Sequence, residues 1–129
     1  MRVSSLEQKR VLIVEDDVEI LDLLRSFLSE IGIEKVSEAK SGPEALEFID
    51  NQKKTPDLVI CDWNMPEMSG LSVYNQLKVS HPNVPFILVT SRNDYESVRE
   101  AKEAGLKSYL VKPLSIEQLG QKVTTALRH

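Results

Sequence analysis

Three short apolar runs constrain this chain more than any other feature: VLIV at 11–14, LVIC at 58–61 and FILV at 86–89. Each is too short for a helix and lacks the polar alternation of a half-solvated strand, so each reads as a strand buried on both faces. Strands of that kind belong to parallel sheets covered by helices. Each run also stops on polar residues. Glu15, Asp16 and Asp17 follow the first, Asp62 ends the second, and Thr90 and Ser91 close the third.

Helical patterns fill the intervals. Ile20, Leu21, Leu24, Phe27, Leu28 and Ile31 share one face after an Asp17 N-cap, and Gly32 suits the position past the end. Residues 33–37 predict a weak, polar edge strand. Ser41, Pro43 and Glu44 resemble a capping box opening a second helix through Ala45, Leu46 and Ile49, and Pro56 ends that connection. Beyond Asp62, Pro66 cannot continue a paired strand and Gly70 offers backbone freedom, so the chain turns. Leu71, Tyr74 and Leu77 mark a third helix, stopped by His81-Pro82. Asn93 and Glu96 start a fourth, with Val98, Ala101 and Ala104 inward and Gly105 at its end. A fifth strand at 107–111 ends in Lys112-Pro113. Ser115 and Gln118 then open a last helix carrying Ile116, Leu119, Val123 and Leu127. Five strands alternating with five helices predict an α/β fold with parallel pairing and right-handed crossovers. Strand C-termini then share one edge, where open α/β sheets keep their chemistry. Glu15, Asp16, Asp62, Thr90 and Lys112 all belong to that edge.

Composition narrows the function classes. A net charge of −4 argues against nucleic acid or an anionic membrane as the main partner. The single cysteine, Cys61, lies within an apolar run and reads as a small core residue. Residues 1–10 are a polar N-terminal extension with no signal-peptide core, and no stretch is long enough to span a bilayer. The expectation is a cytoplasmic, single-domain protein over residues 1–129, with no effector domain.

Three carboxylates at one edge repel one another, and a hard divalent cation relieves that repulsion. An Asp is also a nucleophile able to form an aspartyl-phosphate. Phosphoryl transfer needs positive charge on the equatorial oxygens, from Mg²⁺ and Lys112, and a hydroxyl donor such as Thr90. Each residue alone has an ordinary explanation: an N-cap at Asp16, a turn hydroxyl at Thr90, a solvated cation at Lys112. Their coincidence at one edge is the informative observation.

In the order of these residues, and in DWNMP at 62–66, the chain resembles the receiver domain of bacterial two-component response regulators, most of all its stand-alone chemotaxis members. The resemblance implies a flavodoxin-like three-layer sandwich with strand order 2-1-3-4-5. It implies Asp62 as phosphoacceptor, with Thr90 and Lys112 completing the catalytic set. It implies Mg²⁺, with Mn²⁺ as a substitute, held by Glu15, Asp16, Asp62 and the backbone carbonyl of Asn64. Glu15 stands where many members carry Asp, so its longer side chain makes its contact less direct. Lys112 precedes a proline that is typically cis in the family. Thr90 and Tyr109 match the switch positions, and Asn64 and Arg92 the pair that tunes autodephosphorylation. The implied partners are a sensor histidine kinase or phosphotransfer protein and a downstream protein target, read through helix 4, strand 5 and helix 5. The chain is then a monomer or a phosphorylation-dependent dimer, and not a turnover enzyme.

Three rivals differ in their chemistry. An Asp-nucleophile phosphatase of the haloacid dehalogenase type carries a second Asp where this chain has Asn64. A flavin protein of the same fold has a Gly/Ser/Thr-rich phosphate loop where acids stand here. An interaction module that never takes phosphate has no need of the acid pair, Thr90 and Lys112. Trp63, beside Asp62, is assigned either to loop packing or to the site, while His81 and His129 have no metal role.

Overall fold

Side chains alternate between the two faces of a strand, and in the computed structural model that rule sorts the whole core. The structure describes residues 6–51, 55–91 and 94–128. Strands β1 (Arg10–Val14), β2 (Lys35–Ala39), β3 (Leu58–Asp62), β4 (Phe86–Thr90) and β5 (Tyr109–Val111) pair in parallel in the order β2-β1-β3-β4-β5. They alternate with helices α1 (Val18–Ile31), α2 (Gly42–Asn51), α3 (Gly70–Ser80), α4 (Tyr95–Glu103) and α5 (Ile116–Leu127).

Val11, Ile13, Ile60, Ile87 and Val89 face α1 and α5, whose Leu24, Leu28, Leu119 and Val123 close one buried cluster. Leu12, Val14, Val59, Cys61 and Leu88 face the other way, against Ile49, Leu71, Val73 and Ala101 of α2, α3 and α4. The result is the three-layer sandwich that the sequence resemblance implied. Every residue of β3 and β4 is buried, which is why their runs show no polar alternation.

Local signals set the helix ends. The Asp17 side chain accepts from the Glu19 backbone N–H at 2.9 Å. Gly32, at φ 113°, closes α1 in the left-handed conformation, and the N–H groups of Gly32 and Ile33 return to the Leu28 carbonyl. Ser41 Oγ accepts from Glu44 N–H at 3.1 Å, and Glu44 Oε1 accepts in return from Lys40 N–H at 2.8 Å. The Ser115 side chain accepts from Gln118 N–H.

Several boundaries differ from expectation. β2 starts two residues late, because the Gly32 cap folds Ile33 back onto Leu28 and buries it before the strand begins. It is an edge strand, as expected. β5 is limited to Tyr109–Val111. The cap of α4 is Asp94, which accepts from Ser97 N–H at 3.0 Å; Asn93 lies outside the described residues. Leu6, in the N-terminal extension, packs on the α1–α5 cluster.

Candidate functional site

Strand register brings the polar residues together. Val14 pairs with Cys61, so Glu15 and Asp62, each one residue further on, emerge as neighbours. Asp62 pairs with Val89, and Thr90 with Val111. The Lys112 backbone N–H donates to the Thr90 carbonyl at 2.8 Å, extending the ladder one step past β5. The cluster spans the ends of β1 and β3, between which the direction of sheet building reverses. That is the crevice where open α/β sheets bind ligands.

Glu15, Asp62 and Thr90 are buried, at 2%, 4% and 0% exposure, while Asp16 is exposed. One carboxylate oxygen from each of Glu15, Asp16 and Asp62 lies within 4.8 Å of the others. Lys112 Nζ stands 3.0 Å from Asp62 Oδ1 and 3.5 Å from Glu15 Oε1. Glu15 Oε2 accepts from the Asp17 backbone N–H at 3.2 Å, so the N-cap residue of α1 holds the carboxylate two positions before it. Lys112-Pro113 is a cis peptide bond.

The electrostatics are those of a site short of positive charge. Burial, and then the charge of Asp62, push the Glu15 carboxyl up to about 7. Burial also raises Asp62, although the hydrogen bond and charge of Lys112 oppose the rise. For Lys112, desolvation pulls downward, but Asp62 and Glu15 outweigh it and the ammonium is raised. Among the described residues, the Lys112 ammonium stands against two carboxylates, Glu15 and Asp62, and Asp16 adds a third acid to the cluster. The all-oxygen donor set and its uncompensated negative charge fit a hard divalent cation such as Mg²⁺.

The loop from Trp63 to Ser69 is tied at both ends. Trp63 N–H donates to the Val89 carbonyl, and Gly70 N–H donates to the Trp63 carbonyl, both at 2.8 Å. Between them Asn64 is exposed, and Met68 N–H donates to the Pro66 carbonyl at 2.8 Å around Glu67, a γ-turn at φ 73°. A Cβ on Gly70 would lie 2.1 Å from the Asp62 carbonyl oxygen. Gly70 is therefore required for close approach to the strand end, not for backbone freedom. The Trp63 side chain is buried with the α2–α4 cluster, which settles its role as packing.

Of the site residues expected from sequence, the fold gathers Glu15, Asp16, Asp62, Thr90 and Lys112 at one edge, with Asn64 on the adjoining loop. Tyr109 is half-buried on β5, opposite Leu88, and packs on the α2–α4 cluster. Arg92 and His129 lie outside the described residues. Sequence reasoning missed the spatial demand on Gly70 and the burial of Ser97 on α4, whose hydroxyl donates to Asp94 Oδ1 at 2.9 Å.

Comparison with known proteins converges on one group. The response regulator receiver domain family matches residues 11–124. The chain is 33% identical to the chemotaxis protein CheY1 of Helicobacter pylori over 120 residues, covering 92% of this chain and 96% of that protein. It is also 33% identical to the transcriptional regulatory protein ZraR of Klebsiella oxytoca over 123 residues, 95% of this chain but only 27% of ZraR. The chain thus spans about a quarter of the length of the longer curated relatives it matches. Among solved structures, the receiver domain of the Francisella response regulator 1452 superposes with a TM-score of 0.84 at 30% identity, covering 94% of this chain and 98% of that one.

Proposed function

The chain belongs to the response regulator receiver domain family, which signals by phosphorylation, and we propose that Asp62 is its phosphoacceptor. The supporting observation is the placement of Asp62 at the C-terminal edge of the sheet, 3.0 Å from Lys112 and within the acid cluster of Glu15 and Asp16. The donor is the phosphohistidine of a sensor histidine kinase or phosphotransfer protein. An Asp62 carboxylate oxygen attacks phosphorus, the P–N bond breaks, and the imidazole leaves with that electron pair and takes up a proton.

Receiver domains bind Mg²⁺ at an acidic pocket, and the residues that would hold it here are Glu15, Asp16, Asp62 and the Asn64 carbonyl. Bound there, Mg²⁺ or a substituting Mn²⁺ supplies positive charge against the oxygens of the transferring group. The Lys112 ammonium supplies the protein's own charge to the same oxygens, and the Thr90 hydroxyl donates a hydrogen bond to them. Receiver domains are not classical turnover enzymes, and this chain performs only its own phosphoryl transfer and the slow loss of that group. Asn64 and Arg92 set the rate of that loss.

The new group adds roughly −1.5 to −2 charge at neutral pH. It draws Thr90 and Lys112 toward it, and Tyr109 turns into the space that Thr90 leaves. The readout surface is α4, β5 and α5, offered to a downstream protein. One neutral and one charge-assisted hydrogen bond contribute about 2–4.5 kcal/mol. A near-complete shift takes about 5.5 kcal/mol, so target binding completes the switch. No described helix is long and apolar enough to cross a membrane.

Intact mass spectrometry after incubation with acetyl phosphate and Mg²⁺ tests the assignment. The wild-type chain gains one phosphoryl group and Asp62→Asn gains none. Wild-type protein that stays unlabelled overturns the assignment and leaves an interaction module that takes no phosphate.

A further inference from the structure

At the opposite end of the sheet, where β4 and β5 begin, an open groove of about 790 Å³ separates α3 from α5. Its floor is apolar, formed by Tyr74, Leu77, Phe86 and Leu106, with the Tyr74 and Phe86 rings 5.2 Å apart. Its rim carries Lys78, Lys107 and Lys122, and none of its lining residues is acidic.

That absence of acids extends to all the segments that build the groove. The chain has 20 Asp and Glu, yet none lies between Glu67 and Asp94, between Glu103 and Glu117, or after Glu117. Glu103, the nearest in sequence, pairs with Arg99 on its own helix at 3.8 Å. The lysines also differ in freedom. Lys78 donates to the Ala104 carbonyl and lies 5.3 Å from the centre of the Tyr74 ring, which fixes it as a wall. Lys107 is exposed on the loop after α4, and Lys122 is half-buried on α5.

We propose that this groove docks an acidic, amphipathic segment of a partner protein. Apolar side chains of the segment lie on Tyr74, Val84 and the edge of Phe86, and its carboxylates meet Lys107 and Lys122. The charge contrast argues for this occupant: a basic rim on a chain of net charge −4 attracts and registers an acidic surface. The lining offers its cations at the rim and no buried polar group to orient a small ligand, which suits a segment laid across it. Phe86 lines the groove and Thr90 stands at the acid edge, four residues along one strand, about 13 Å at ~3.3 Å per residue. Docking here makes no contact with the Asp62 edge and goes beyond the phosphorylation switch; Lys122 shares α5 with the readout surface, so the tether adjoins the switched face.

The probe is a synthetic twelve-residue peptide of Glu interspersed with Leu and Phe, titrated into ¹⁵N-labelled full chain and followed by amide NMR shifts. Shifts are expected at residues 105–108 and 121–126. The Lys107→Glu/Lys122→Glu double variant, at positions outside the core, binds about tenfold more weakly, and its amide spectrum reports that it is folded. Lys40→Glu, an exposed lysine elsewhere, and Asp62→Asn both bind as wild type, so failed docking and failed phosphorylation are separate results. The proposal is overturned by shifts that cluster at the Asp62 edge or do not occur, by a double variant that binds unchanged, or by an all-Glu peptide that binds equally well.

Discussion

The two ends of the one sheet are built from the same five strands and differ in nearly every physical respect. At the C-terminal end, charged side chains are buried and the loop packs directly against the Asp62 backbone. At the N-terminal end, the charges stand around an open, half-apolar groove. The signs of the two sites differ too, acidic in the Glu15–Asp16–Asp62 cluster and basic around the groove. Chain direction explains much of this. Helices that return beside parallel strands begin at the strands' C-terminal edge, where their unpaired N–H groups favour anions, and finish at the opposite edge, where unpaired carbonyls favour cations. Asp17 and Asp94 cap helices at the first edge, while Lys78 donates to the carbonyl of Ala104, the C-cap of α4, at the second. Part of the charge layout thus follows from topology before any ligand is considered.

The contrast in packing breaks most sharply at Gly70. A methyl group there meets the Asp62 carbonyl oxygen at 2.1 Å, and the contact is backbone, so no rotamer relieves it. Gly70→Ala should cost about 3 kcal/mol and lower the melting temperature by roughly 10 °C. An unchanged melting curve would mean that the acid edge yields as easily as the groove.

The contrast in charge is tested by pH. Glu15 rises from 4.5 to about 7 on folding, so between those values the folded chain keeps a proton that the unfolded chain has lost. Stability therefore falls as pH rises through that window, by no more than roughly 3 kcal/mol. Asp62 is shifted in the same direction and adds to the fall; raised Lys112 loses its contribution only above its ordinary 10.5. Without divalent ions, melting should occur at a lower temperature at about pH 8 than at about pH 5. Glu15→Gln should flatten the trend, and Mg²⁺ should offset it while binding more weakly below about pH 7, where protons compete for Glu15. A melting temperature that rises steadily with pH in the absence of metal contradicts the charge assignment.

The smallest effect belongs to the basic end. Lys78→Met removes one hydrogen bond to a helix end and one cation–ring contact, both exposed, and should cost about 0.5–1 kcal/mol. Melting curves read that loss, and the rate of labelling by acetyl phosphate should not change. A slowed rate would show that the two ends are coupled through β4.

Signals carried by one or two residues were legible without coordinates. The runs ending at Val14, Cys61 and Val89 marked the central strands, and Asp17, Ser41 and Ser115 marked three helix starts, because an apolar run and a cap act locally. The acid edge followed from topology, since parallel strands place successive ends together. What escaped depended on packing between distant segments. Ile33 is apolar but precedes its strand, because the Gly32 cap delivers it to Leu28. Trp63 directly follows Asp62 yet belongs to the core of the α2–α4 face. The lysines of the groove come from three elements far apart in sequence, and only the fold makes them neighbours.

The hydrogen bond from the Lys112 N–H to the Thr90 carbonyl joins the site's cation and its hydroxyl at the level of the main chain. Neither can be displaced far without dragging the other strand tip along. Whatever tugs on the lysine at the pocket's lip therefore also loads the threonine beneath it, and a force applied at one atom is shared by two neighbouring strands.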